Sequence, residues 1–183
     1  KESGIISEDM IQQEYYCSFD SGVEGSYYSK YLNDMRLKGR IGNVPYDITK
    51  PVNYCFDLGY SDQTAILFFQ IVGPNVYIID CYQNNKMGLE HYITQVKNRG
   101  YILGQAIAPF DIKQHDFSLG ITRWEKARQL GVEFLVAPKL NIADGIEAVR
   151  SALASRIWID ETKCKEFIGS LEAYRQIWDA KLK

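Results

Sequence analysis

From residue 52 onward the chain alternates short apolar runs with polar turns, a pattern that predicts strands interleaved with helices. Val52–Asp57, Thr64–Val72 and Val76–Tyr82 are rich in β-branched and aromatic residues and read as three strands. Gly59 to Gln63 joins the first pair and Gly73-Pro74-Asn75 the second, and connections this short predict antiparallel neighbours. A helix over about Leu89 to Arg99 follows, with Leu89, Ile93 and Val96 on one face and Gly100 as its stop.

The second half repeats a strand–helix rhythm. A fourth strand runs from about Gln105 to Pro109. Thr122-Arg123-Trp124-Glu125 has the spacing of a capping box and opens a helix that runs to Gly131. Val132–Val136 is a fifth strand. An amphipathic helix starting at Asn141 or Ile142 ends at Ala154, with Ile142, Ile146, Val149 and Leu153 on its inner row. Arg156–Ile159 reads as a short extended piece, and a last helix starts near an Asp160 cap and turns Phe167, Ile168, Leu171 and Tyr174 inward.

The first fifty residues differ. Ser18 to Ser26 is loop-like, Tyr27 to Lys38 is a Tyr-rich helical candidate, and Ile41 to Pro51 is a turn-rich connector. We take residues 1–50 as a linker or the edge of a preceding domain, and 51–183 as the main domain. The order β-β-β-α-β-α-β-α-α is the layout of a ribonuclease H-like α/β fold. It implies a mixed five-stranded sheet, three antiparallel strands then β-α-β units, flanked by helices. In that layout the fourth strand lies parallel to the first and beside it, so their carboxyl ends meet.

Each of those two strand ends carries an acid. Tyr54-Cys55-Phe56-Asp57-Leu58-Gly59 places Asp57 at the end of an apolar run, and Ala106-Ile107-Ala108-Pro109-Phe110-Asp111 repeats the arrangement. A charge there is costly to bury unless it is paired or binds a metal. Two strand-borne carboxylates suit Mg²⁺ or Mn²⁺, and two such ions held about 3.5–4 Å apart suit phosphodiester hydrolysis. Clustered carboxylates also raise one another's pKa until a cation binds.

Each acid also has a plainer reading. Asp57 can cap the Gly59 turn, and Asp111 can cap the loop after Pro109. Asp62 is a candidate outer metal ligand, but Asp is common in hairpin loops for turn reasons alone. His115 and Asp116 can orient water or bind metal, though a solvated loop role is the simpler one. Lys113 is a candidate phosphate contact or a surface lysine, and Asp80 reads as a strand-end residue.

Composition narrows the classes. The chain has 183 residues, 46% of them hydrophobic, enough for one domain with a proper core. Its longest apolar runs are strand-sized, so no membrane span is expected. Cys17, Cys55, Cys81 and Cys164 form no C-x-x-C pair, and there are two histidines, so a zinc site is not expected and a reduced, intracellular setting is. The net charge of −2 neither announces nor excludes nucleic acid, while the missing basic patch argues against strong autonomous DNA binding. The 13 tyrosines and the three tryptophans (Trp124, Trp158, Trp178) lack basic interleaving and read as core rather than as a base-stacking platform. No G-x-x-x-x-G-K-[ST] motif occurs. The opening Lys-Glu-Ser, without Met or an apolar signal, reads as an excised or processed piece of a longer protein.

Taken in order, these segments resemble the C-terminal nuclease domain of the large terminase subunit of tailed double-stranded DNA phages. Gln13 to Phe19 resembles the join between that family's ATPase and nuclease parts. Asp57-Leu58-Gly59-Tyr60-Ser61-Asp62-Gln63-Thr64-Ala65 resembles its first acidic strand and turn. Ala108-Pro109-Phe110-Asp111 resembles its second acidic motif, with Phe110 where a His is usual. Pro138-Lys139 through Asp144 to Arg150, and Tyr174-Arg175-Gln176-Ile177-Trp178-Asp179, resemble its later segments.

The resemblance implies a metal-dependent endonuclease, with Asp57 and Asp111 catalytic, that cuts concatemeric double-stranded viral DNA for packaging into procapsids. It implies Mg²⁺ or Mn²⁺ in a two-metal site, and as partners double-stranded DNA, the portal protein, the small terminase subunit and an ATPase domain in the same polypeptide. The setting would be the host cell cytoplasm, with no membrane and no secretion. The family's third acid follows the Tyr-Arg-x-x-Trp-Asp segment. This sequence ends before that motif, so a C-terminal tail is expected to be missing, and Asp179 matches a non-catalytic position. Two alternatives remain: another ribonuclease H-like nuclease of the resolvase type, and a portal- or ATPase-docking module with little activity alone.

Overall fold

The computed structural model describes residues 26–59, 63–113 and 120–175. Its elements in chain order are α1 (Ser29–Leu37), β1 (Ile41–Gly42), β2 (Val52–Asp57), β3 (Thr64–Val72), β4 (Asn75–Asn84), α2 (Leu89–Asn98) and β5 (Leu103–Ala108). A short 3-10 turn (Phe110–Lys113) precedes α3 (Arg123–Gln129), β6 (Phe134–Val136), α4 (Ile142–Ser155), β7 (Ile157–Asp160) and α5 (Lys165–Ala173). One sheet holds every strand, in the order β1-β7-β4-β3-β2-β5-β6.

The three antiparallel strands and the parallel return are as the pattern predicts. β2 and β4 flank β3 antiparallel, and β5 runs parallel to β2, with Tyr54 level with Ala106 and Cys55 with Ile107. The sheet has seven strands rather than five. The segment read as a short extended piece, Arg156–Ile159, becomes β7 at Ile157–Asp160 and pairs parallel with β4, and β1 pairs with β7. A four-residue strand gives too few alternations to stand out in sequence. Its pairing is reinforced by Trp158, which stacks on Tyr77 with ring centroids 5.8 Å apart.

Helices cover both faces. On one side, alternate residues Val52, Tyr54 and Phe56 of β2, Ile66 and Phe68 of β3, and Ala106 and Ala108 of β5 are buried with Tyr92, Ile93 and Val96 of α2. On the other, Ile78 and Ile159 meet Leu32 and Met35 of α1, Ile146 and Leu153 of α4, and Ile168 of α5. Within the segment read as a linker or domain edge, α1 is thus part of a core, and Arg40 fastens it. The buried Arg40 guanidinium donates to the carbonyls of Leu153 at 2.6 Å, Ala154 at 3.3 Å and Ile157 at 3.2 Å. Those carbonyls lie at and just beyond the C-terminal turn of α4, where intrahelical donors run out.

Several local expectations hold and two are corrected. Thr122 Oγ1 accepts from Glu125 N at 3.0 Å while Glu125 Oε2 accepts from Thr122 N at 2.8 Å, the full capping box. Asn141 Oδ1 caps α4 by accepting from Asp144 N at 2.8 Å. Ile142, however, is 77% exposed and belongs to neither core cluster. Asp160 does not cap α5. It ends β7, buried, and accepts from the backbone N–H groups of Val44, Thr162 and Lys163, and α5 begins a turn later after Cys164. The same turn brings the Cys164 thiol to Cys81, donating to it and pulling its pKa down.

Candidate metal centre

Asp57 and Asp111 reach one place because the sheet sets their strands in register. At the far end of the pair, Asn53 Oδ1 accepts from Gln105 N at 2.8 Å. A Cβ on Gly104 would come within 2.6 Å of that oxygen, so glycine permits the close approach. With Cys55 level with Ile107, two more residues on each strand bring Asp57 level with Pro109. Pro109 cannot continue the ladder, and the chain turns into the 3-10 segment. Ile112, fully buried, anchors that turn, and its N–H donates to Pro109 O at 3.2 Å. Asp111 is held on the anchored turn. On the β2 side, Thr64 Oγ1 donates to Gly59 O at 2.6 Å and closes the hairpin just past Asp57.

The electrostatics match a site short of positive charge. Loss of solvent, and then the neighbouring Asp111 carboxylate, push the Asp57 pKa up from its ordinary 3.8. Asp111 Oδ1 is shielded from solvent and, among the described residues, has no hydrogen-bond partner. Buried carboxylate oxygens are ordinarily satisfied, so an orphan beside a second acid fits a ligand for a cation. Hard oxygen donors of this kind fit Mg²⁺ or Mn²⁺. Among the described residues no group of three or more His, Cys, Asp or Glu side chains gathers around a common point.

The other candidates divide. Asp62, His115, Asp116 and Asp179 lie outside the described residues. Lys113 is exposed at the end of the 3-10 turn. Asp80 is not at a strand end, because β4 continues to Asn84. It is buried mid-strand, paired with Arg99 Nη1 at 2.9 Å, and it accepts from Tyr101 Oη at 3.1 Å. Its role is structural. One contact was not anticipated: Lys139 Nζ lies 5.1 Å from the centroid of the Phe110 ring, beside Asp111. The parallel pairing of β5 and β6, whose ends leave the sheet together, is the signal that would have revealed it.

No family model matches the sequence, and no curated protein does. Solved structures do match. The large terminase of a thermophilic bacteriophage superposes with a TM-score of 0.60 at 18% identity, over 77% of this chain and 35% of that one. The large terminase nuclease of another thermophilic phage, G20c, solved with bound magnesium, gives 0.56 at 14% identity over 86% and 85% of the two chains. The nuclease domain of the large terminase of bacteriophage SPP1, with bound Mn, gives 0.51 at 17% over 98% and 80%. The fold is therefore ribonuclease H-like α/β. More particularly, it is the fold of the nuclease domains of phage large terminases. The chain spans about a third of the length of the first of these proteins.

Proposed function

We propose that this chain is a metal-dependent endonuclease domain that cuts concatemeric double-stranded viral DNA during genome packaging. The observation that carries the reading is the solvent-shielded Oδ1 of Asp111, without a partner among the described residues, beside Asp57 on this fold. In the SPP1 and G20c proteins the same fold is seen with manganese and magnesium. Asp57 and Asp111 would hold the divalent cations here, with Asp62 as an outer ligand. When bound, such ions supply the Lewis acidity that activates water and offsets charge on the leaving oxygen.

The protein's own residues contribute placement. Asp57 is fixed by the β2–β3 ladder and Asp111 by the buried Ile112, so neither carboxylate needs to be ordered when the cation arrives. In this reading the domain works within a packaging assembly, joined to an ATPase domain of the same polypeptide and meeting the portal protein, the small terminase subunit and DNA. The setting is the host cell cytoplasm, and no helix among the described residues is long and apolar enough to cross a membrane.

A docking module that cuts poorly alone is the second reading. It is favoured by the absence of a third carboxylate at the site among the described residues. Nicking of supercoiled plasmid in Mg²⁺, Mn²⁺ or EDTA separates the two. The nuclease reading expects metal-dependent nicking that Asp57→Ala and Asp111→Ala each reduce by about three orders of magnitude, corresponding to several kcal/mol of lost electrostatic stabilisation. Folded wild-type protein that leaves the plasmid intact in either metal supports docking instead.

A further inference from the structure

β5 and β6 leave the sheet side by side. Ala108 is level with Val136, and Ala137 N donates to Ala108 O at 2.8 Å. Just beyond, Phe110 and Lys139 meet, the ammonium 5.1 Å from the ring centroid. Phe110 directly precedes Asp111 on the 3-10 turn, so the Lys139 ammonium sits on the ring next in sequence to the candidate ligand. The ring is 44% exposed, and Lys139 is exposed and makes no ion pair with an acid among the described residues. A ring face holds an ammonium in place without neutralising it, unlike a carboxylate partner.

A phosphodiester approaching Asp57 and Asp111 meets two negative charges, and a fixed cation at the rim offsets that repulsion. The face of Phe110 that holds the ammonium is not open to a base, so the pair reads DNA backbone rather than sequence. We propose that Lys139, seated on Phe110, contacts a backbone phosphate flanking the cleaved one and positions the strand across the two carboxylates. The proposal rests on the nuclease reading and adds a positioning residue to it.

Salt dependence of DNA binding tests it without needing cleavage. A short fluorescein-labelled duplex is titrated in EDTA at salt concentrations between about 50 and 200 mM, where each phosphate contact adds roughly 0.9 to the slope of log affinity against log salt. Lys139→Ala should lower that slope by about 0.9 with an unchanged melting temperature, whereas Lys139→Arg should keep it. Lys30→Ala, which removes the same charge from the exposed side of α1, should leave the slope as in wild type. Phe110→Leu should weaken binding by less than Lys139→Ala, and should add nothing once Lys139 is gone.

A Lys139→Ala slope equal to wild type, in a protein that binds and nicks DNA, overturns this proposal alone. Wild-type protein that binds no duplex at any of these salt concentrations overturns it, and overturns the nuclease reading with it where the same protein also nicks no plasmid in Mg²⁺ or Mn²⁺.

Discussion

Two acids with oxygens withdrawn from water, Asp80 in β4 and Asp111 on the 3-10 turn after β5, are treated in opposite ways. Asp80 is paired: Arg99 Nη1 lies 2.9 Å from its Oδ2, and Tyr101 Oη donates to the same oxygen at 3.1 Å. Arg99 is in turn held over the rings of Phe68 and Tyr82, 5.5 and 5.6 Å from their centroids. Burial, and then the Asp80 charge, push the Tyr101 phenol up to about 12, so it stays a donor across the ordinary pH range. Asp160 is likewise satisfied, by three backbone N–H groups. Asp111 has an oxygen with no partner among the described residues, and its neighbour is another acid. A buried charge left unpaired is destabilising. The proposed cation site at Asp111 rests on this contrast with Asp80 and Asp160.

The widest separation between the two regions should be in activity. Asp111→Asn removes a proposed metal ligand and should lower metal-dependent nicking by about three orders of magnitude. Asp80→Asn should leave nicking at the wild-type level at temperatures where the protein is folded. Loss of activity in both variants would break the distinction.

Stability should show the reverse order. Asp80→Asn leaves Arg99 without its counter-charge, and breaking such a buried pair costs on the order of 3 kcal/mol, the low end of the range because Arg99 is partly exposed. In a domain of this size that lowers the melting temperature by roughly 6–12 °C. Asp111→Asn removes an unsatisfied charge and the repulsion on Asp57, so its melting temperature in EDTA should match or exceed that of wild type. Thermal unfolding followed by circular dichroism reads both.

The smallest effect is in pH dependence. The Asp57 pKa is raised in the folded state, so the folded protein binds that proton more readily than the unfolded chain. The associated stability is fully present below the ordinary 3.8 and is lost as pH rises through the higher, folded value. In EDTA, wild-type protein should therefore lose more stability than Asp57→Asn as pH is raised through that window. Parallel stability–pH curves for the two would remove Asp57 from the coupled pair.

Much of the fold was legible because its signals are long or chemically specific. The nine-residue β3, the Thr122–Glu125 capping box and Gly100, at φ +70° after α2, each leave a mark that local physics explains. β7, with four residues, is legible only as a short extended piece, and β1, with two, is lost in a turn-rich connector; the sheet that receives them makes them strands. The acids Asp57 and Asp111 were legible as a pair because strand order alone brings their strand ends together. Asp80 was misplaced at a strand end because its partners Arg99 and Tyr101 come from beyond α2, and sequence spacing does not show that such a charge is neutralised.

Metal-induced stabilisation is the most direct discriminator between the completed acids and the incomplete one. Melting temperatures of wild type, Asp80→Asn, Asp57→Asn and Asp111→Asn are measured in EDTA and again in excess Mn²⁺. Binding to the folded state alone should raise the melting temperature of wild type and of Asp80→Asn. Asp57→Asn and Asp111→Asn should not respond. A Mn²⁺-induced rise in Asp111→Asn equal to that of wild type would contradict a cation site at Asp111.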